Sequence, residues 1–527
     1  MSRHTKVFNY LSKANTANMA IIPSIVNWLN IKRINQIEIF KKYPVETQQE
    51  TLYRLLAKAA KTEWGKKYNY STIVSIKEYQ SRFRVQTYED LLPYVERLRK
   101  GEADLLWPGE IKWFAKSSGT TSTKSKFIPM SREALEDCHY RAAKDILVIY
   151  TMQRPGTRIF SGKSLTLGGS HRMNQFSNDS LYGDLSAILI ENAPFWVDII
   201  RTPKQKIALL EDFEEKLNLI TRSTVNENVT SISGVPSWYL VLIKQILAFT
   251  GKNNLLDVWP NLEVFFHGGI SFTPYREQYK KLIDGDQMNY METYNASEGF
   301  FGIQDDPLNS DMLLMLDYGI FYEFIPADKI NSDDPPFFTI ADVETGVNYA
   351  IIISTNGGLW RYMMGDTIVF TCLDPFRFRI TGRTKHFINV FGEEVIIENA
   401  DKALESACKT TNAVIAEYTA GPVFMNTSSK GSHEWVIEFE KVPTDLTLFI
   451  NTLDKTLKSI NSDYEAKRFK DLNLILPVVK SVPKGTFNKW LKTKNKLGGQ
   501  NKVPRLSNSR EYIEDLYKIA GIRSPSP

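Results

Sequence analysis

The chain has 527 residues, 43% hydrophobic and 24% charged, the balance of a soluble globular protein long enough for several cores. Its 65 basic and 60 acidic residues leave a net charge of +5, which is too thin for a nucleic-acid-binding stripe. Three scattered cysteines (Cys138, Cys372, Cys408) and six unclustered histidines exclude a disulfide framework and a His/Cys zinc site, and they fit a reducing, cytoplasmic setting.

The opening "MAIIPSIVNWLNI" resembles a secretory signal. Pro23, Asn27 and Asn30 interrupt it and no small-x-small cleavage site follows, so an amphipathic helix is expected. No run of 18 apolar residues occurs, so no membrane span is expected. Residues 46–62 carry apolar positions at helical spacing, and helix-rich sequence continues to about residue 100. Then come a short strand ("IKWFAK"), a hydroxyl-rich loop ("SSGTTSTKSK") and a second strand ("KFIPM"). The helix that follows is capped by Ser131, with Glu133 in its first turn. "LEVFFHGG" reads as a buried strand stopping at Gly268 and Gly269.

"GIFYEFIP" and "YAIIISTNGGLWRYMMGDTIVFT" read as antiparallel strands, with "NGG" as a turn. "FRFRITGRTKHFINVFGEEVIIENADKAL" passes from a strand through a Gly-Arg corner into a helix. From about residue 386 the pattern is a small α+β module, with strands at "EWVIEFE" and "LNLILPVVK". The boundary falls near Thr384–His386, giving a large domain over 1–384 and a small one over 385–527. The densest basic run, "KWLKTKNKLGGQNKVPR", reads on charge alone as a solvated surface.

Four places carry candidate chemistry, each with an ordinary alternative. Around Gly119 stand Ser117, Ser118, Thr120 and Thr121. Lys124-Ser125 imitates the end of an NTPase phosphate loop, but the second glycine that lets such a loop curl is missing. The segment either wraps a polyphosphate with hydroxyls and backbone N–H groups or is a polar turn. In "METYNASEGFFGIQ", Glu298 suits Mg²⁺, which needs few protein carboxylates, and Tyr294 offers a flat face to a purine. The alternative is a strand end with an exposed glutamate. Asp366 in "WRYMMGDTIVF" suits the two hydroxyls of a ribose, or is a turn aspartate. Arg383 suits ribose or phosphate, or is a salt-bridged corner.

Together, in this order, these motifs resemble the adenylate-forming superfamily of acyl-CoA synthetases and luciferases. Within it, "SSGTT…SKFIP", "YNASEGFFGIQ", "WRYMMGDTIVF", "GTFNKW" and "NKVPRL" resemble the acyl acid–amido synthetases known in plants as the Gretchen Hagen family, and their bacterial relatives. Upstream, "TEWGKKY" and "YEDLLPYVERLRKGEADLLWPG" fit the same pattern. The resemblance runs from about residue 45 to 520. Its main departure is Ser122-Thr123, where the plant loop has another glycine.

The resemblance implies an α/β fold: a large domain of mixed sheets with a β-barrel-like subdomain flanked by helices, and a small mobile α+β domain hinged near Lys385. It implies ATP and Mg²⁺, a small carboxylic acid and an amine or amino acid as substrates, and a monomer that binds neither nucleic acid nor membrane. Ser117–Thr121 would take the β- and γ-phosphates. Tyr294 and Gly268-Gly269 would flank adenine, with Ser297 beside them. Asp366 and Arg383 would hold ribose, Glu298 the metal. Lys502 in "NKVPR" would supply the cation at the reacting phosphate. An acyl-CoA ligase using the same adenylate, or a non-catalytic nucleotide-binding protein, is the alternative.

Overall fold

The structure is a computed structural model that describes residues 32–117, 126–168, 174–175, 180–194, 197–210, 212–269, 272, 275–330, 332–383, 387–425, 430–471, 474–493 and 504–522. The opening segment before residue 32, with its expected helix, lies outside the described residues.

One eleven-stranded sheet organises the large domain. Its strands are β3 (Lys163–Thr166), β6 (Arg201–Thr202), β7 (Val229–Gly234), β8 (Val264–Gly268), β9 (Asn289–Ala296), β10 (Gly299–Ile303), β11 (Met312–Leu314), β12 (Ile320–Pro326), β13 (Asn348–Thr355), β14 (Tyr362–Leu373) and β15 (Phe376–Arg383). Across the sheet the order is β12-β13-β14-β15-β11-β10-β9-β8-β7-β3-β6. From β6 to β9 neighbours run parallel; from β9 to β12 they run antiparallel. The strands of the expected barrel-like subdomain form this antiparallel half. β9 is therefore the junction, and the C-terminal ends of β3, β7, β8 and β9 share one edge. In open α/β sheets such an edge is where ligands bind.

Side-chain patterning explains the two halves. Val264, Phe265 and Phe266 of β8 are all buried, the continuous apolar run of a parallel strand covered on both faces. The helix Pro236–Thr250 covers one face. It opens with Pro236 in its first turn and stops at Gly251, whose φ of +67° is left-handed.

A second sheet has four strands, ordered β2-β1-β5-β4: β1 (Trp113–Ser117), β2 (Lys126–Met130), β4 (Asn174–Gln175) and β5 (Leu181–Gly183). The expected strand–loop–strand–helix run is there. Ser131 Oγ accepts the Ala134 N–H at 2.9 Å, and Ala134–His139 winds as a π-helix before the α-helix Tyr140–Gln153.

Three details differ from the sequence reading. β13 and β14 are joined by six residues rather than a tight "NGG" turn, because Arg361 turns inward there at φ +43°. Its guanidinium meets the buried Glu323 at 3.1 Å and donates at 2.6 Å to the carbonyls of Gln80 and Phe83. The strand expected at "LNLILPVVK" is β20, Val478–Val482. Between the Gly-Arg corner and the helix Ile397–Thr411 stand two short paired strands, β16 (Phe387–Ile388) and β17 (Val395–Ile396).

The small unit is a three-stranded sheet, β18 (Val414–Val423), β19 (Ser432–Lys441) and β20. Helices Thr486–Thr493 and Glu511–Ala520 pack on it through Val436, Phe487, Trp490 and Leu516. A continuous apolar core joins Phe272, Tyr275 and Tyr279 of the large unit to Ile388, Val390 and Phe391 of the small one. Among the described residues no helix is long and apolar enough to cross a membrane.

Candidate active site

β1 and β2 hold the hydroxyl loop like a clasp. Ser117 is the last residue of β1 and pairs with Lys126, the first of β2. Ser118, Gly119, Thr120 and Thr121 lie outside the described residues. Lys126 was not singled out in the sequence, yet it closes this loop. It is buried, donates from Nζ to Tyr362 Oη at 3.1 Å, and lies 5.7 Å from the ring centroids of both Tyr88 and Tyr362. The Tyr362 hydroxyl and the nearby Tyr88 ring partner the ammonium away from water, so this cation is held where β2 begins.

The two glycines after β8 are required for different reasons. A Cβ on Gly268 would lie 2.4 Å from the Thr293 carbonyl oxygen, so only glycine lets β8 and β9 approach here. Gly269 has φ +82°, a conformation that L side chains rarely adopt. The turn therefore presents bare backbone at the edge of the sheet. Beneath it, burial pushes His267 down to about 3, so it is a neutral imidazole, stacked 4.3 Å from Phe272.

Tyr294 ties the junction strand β9 to β14 in the antiparallel half of the sheet. It stands on β9 opposite Gly302, and its hydroxyl donates to Asp366 Oδ2 on β14. Both residues are buried. Phe301 packs 4.9 Å from the Tyr294 ring. Asp366 pairs in register with Arg383 of β15, so two expected ribose contacts are neighbours across one ladder. Ser297 and Glu298 are the two-residue turn of the β9–β10 hairpin, since Ala296 pairs with Gly299. Both are half-buried at the edge where the glycine turn ends. Lys502 and Lys385 lie outside the described residues.

Glu292 was also missed. It sits on β9 opposite His267, two residues before Tyr294 and so on the same face. It is half-buried. Burial pushes its carboxyl up to about 7, against a smaller opposing pull from Arg276. Nothing in "METYN" reveals this, because the cause is the packing around β9. The raised value lowers stability progressively from about pH 4.5 to 7, where an unfolded chain ionises this group and the folded one does not. The cost is no more than ~3 kcal/mol above that window. Glu292→Gln is therefore expected to raise the melting temperature more at pH 8 than at pH 5; an equal gain at both would contradict the assignment.

Three family models match the chain: the GH3 family N-terminal domain over residues 33–288, the central domain over 313–383 and the C-terminal domain over 398–511. Among curated relatives, the indole-3-acetic acid-amido synthetase GH3.2 of Arabidopsis thaliana is 23% identical, over 84% of this chain and 94% of the relative. The jasmonoyl–L-amino acid synthetase JAR4 of Nicotiana attenuata is also 23% identical, over 90% and 92%. Among solved structures, the GH3.15 acyl acid amido synthetase aligns with a TM-score of 0.57 at 18% identity, covering 92% of this chain and 95% of that one. A 2-hydroxyisobutyryl-CoA ligase in its thioesterification state aligns at 0.53 and 14%, covering 90% of each. The last two likenesses concern the fold.

Proposed function

The chain belongs to the GH3 family, and we propose that it is an ATP-dependent acyl acid–amido synthetase. A carboxylate oxygen attacks the α-phosphorus of ATP, the bond to the β-phosphate breaks, and pyrophosphate leaves. The amine nitrogen of an amino acid then attacks the acyl carbon, AMP leaves with the bridging oxygen, and the nitrogen gives up a proton. The observation that carries this reading is the Tyr294–Asp366 hydrogen bond, which ties the junction strand β9 to β14 of the antiparallel half. It joins a flat ring to a diol-binding carboxylate beside the bare Gly268-Gly269 turn.

In this reading adenine lies between Tyr294 and the glycine turn, with the Glu292 carboxyl facing its amino edge. Asp366 accepts from the ribose hydroxyls, with Arg383 and Ser297 beside it. Ser117–Thr121 surround the β- and γ-phosphates, and Lys126 adds positive charge where that loop closes. Among the described residues no group of three or more His, Cys, Asp or Glu side chains is placed to hold a metal. The single carboxylate of Glu298 fits Mg²⁺, which keeps most of its waters. When bound, that ion would neutralise phosphate charge. Lys502 supplies the remaining cation at the α-phosphate.

We place the domain boundary at 384/385 with the hinge near Lys385. It is supported by the gap between the central-domain match, which ends at 383, and the C-terminal match, which begins at 398. Rotation there would withdraw Lys502 and admit the amine.

The choice of acceptor tests the reading. With a carboxylic acid that is activated, free amino acids are expected to release AMP and yield an amide, while coenzyme A does not accelerate AMP release. Thioester formation at a higher rate than amide formation would convert the assignment to an acyl-CoA ligase.

A further inference from the structure

The small unit rests on the large one at the site-bearing edge. Tyr275 Oη donates to the Val390 carbonyl at 2.8 Å, and Gln278 Nε2 to the Met425 carbonyl at 3.3 Å. Lys467 Nζ lies 3.9 Å from the centroid of the Trp238 ring. Trp238 belongs to the first turn of the helix Pro236–Thr250, which follows β7. That helix start abuts the glycine turn: a Cβ on Gly269 would meet Val235 Cγ2 at 3.4 Å.

Lys467 is an unusual residue to find there. It comes from the helix Ser462–Arg468 of the small unit and is only 5% exposed. Gly392 also stands close, at φ +90°, where a Cβ would come within 3.0 Å of Lys467 Cε and 3.1 Å of Nζ. The ammonium thus lies against an indole ring and close to bare backbone. Among the described residues no carboxylate forms an ion pair with it. Asp463 on its own helix, Glu393 in the facing loop and Asp184 of the large unit act on it only through their fields. The Glu393 carboxylate is engaged elsewhere: it lies 2.8 Å from His433 Nε2 and accepts the N–H groups of Val390 and Phe391.

A cation taken from water into such a place loses hydration and recovers contact with a ring, without a counter-charge in contact. A buried charge of this kind is costly, and an apolar residue of similar shape often replaces one with a gain. We propose that Lys467 opposes the seating of the small unit on the helix Pro236–Thr250, and so keeps that unit free to leave. That this serves exchange between two half-reactions rests on the function proposed above; the opposition itself does not.

The pH dependence follows from the same geometry. Burial pushes the Lys467 ammonium down to about 8 in the seated form, while an exposed lysine sits near ~10.4. The seated form therefore binds fewer protons between those values. Seating is opposed in full below pH 8 and strengthens as pH rises above it, about tenfold between pH 7 and pH 9. Asp463, Glu393 and Asp184 face the ammonium, and Tyr239, on the same helix start as Trp238, is pushed far up by burial. Lys216 also lies near Asp184 and is lowered to about 8, so the wild-type ramp alone does not identify the group; a variant must.

Hydrogen exchange of the free, full-length protein reads the seating without substrate. The informative peptides cover residues 235–240 and 389–393, with rates corrected for base catalysis. Lys467→Met keeps the stem and removes the charge. It is expected to protect both peptides at least tenfold more than wild type at pH 7 and to show no rise toward pH 9. Lys467→Arg, charged throughout this range, is expected to stay at the wild-type level at pH 7 and also to show no rise. Wild type itself should gain protection between pH 7 and 9. Equal or weaker protection in Lys467→Met at pH 7 would overturn the proposal, as would a wild-type rise that persists in it. A protein that passes this test but activates no acid keeps the opposition to seating and loses the proposed function; the reverse result does the opposite.

Discussion

Replacing Lys502 with alanine is expected to abolish adenylate formation while leaving ATP binding within a few-fold of wild type. The first half-reaction brings a carboxylate against a polyphosphate, so two anions must meet in line. A preorganised cation at the α-phosphate offsets repulsion that grows toward the transition state. Removing one such electrostatic partner typically costs ~10²–10³ in rate. ATP itself would still be held by the Tyr294–Asp366 pair and by the loop clasped between Ser117 and Lys126. The loss should therefore fall on kcat for pyrophosphate exchange rather than on nucleotide affinity. Exchange at the wild-type rate in Lys502→Ala would remove this lysine from the chemistry. If amide formation from a supplied acyl-adenylate survives in the same variant, the lysine serves only the first half-reaction.

Asp366→Asn is expected to lower kcat/KM for ATP by ~10² or more, about 3 kcal/mol in transition-state stabilisation. The carboxylate at this position is buried and accepts the Tyr294 hydroxyl through one oxygen. An amide oxygen can keep that bond, so the melting temperature should change little. It cannot accept from two ribose hydroxyls at once, because its nitrogen only donates. A site built to pair specific hydroxyls discriminates strongly once its own polar groups are mismatched. The effect should appear for ATP and nearly vanish for a nucleotide lacking the ribose hydroxyls. An unchanged kcat/KM for ATP in Asp366→Asn would contradict the ribose role.

What could be read from the sequence follows from how locally each feature is determined. "LEVFFHGG" became β8 and its turn because an apolar run and two glycines act within a few residues. The Ser131 cap was legible for the same reason. The "NGG" segment was misjudged in length because Arg361 is drawn into a buried pair with Glu323, a partner 38 residues away. The short pair β16–β17 carries too few residues to show a period. Lys126 and Glu292 were passed over because their character depends on distant packing: Tyr362 lies 236 residues from Lys126. Tyr294 and Asp366 were both named, but their bond across 72 residues came from the resemblance only as a shared ligand. The identities of acid and amine were not legible, since pocket shape arises from apolar residues scattered over many elements.

The most direct measurement is acid-dependent ATP–pyrophosphate exchange by the full-length protein, screened over aryl, indole and fatty acids with Mg²⁺. Exchange that requires one class of acid, proceeds without any amine and disappears in Lys502→Ala is the predicted result. No exchange with any acid, from a folded protein that binds ATP, would contradict an adenylate-forming function.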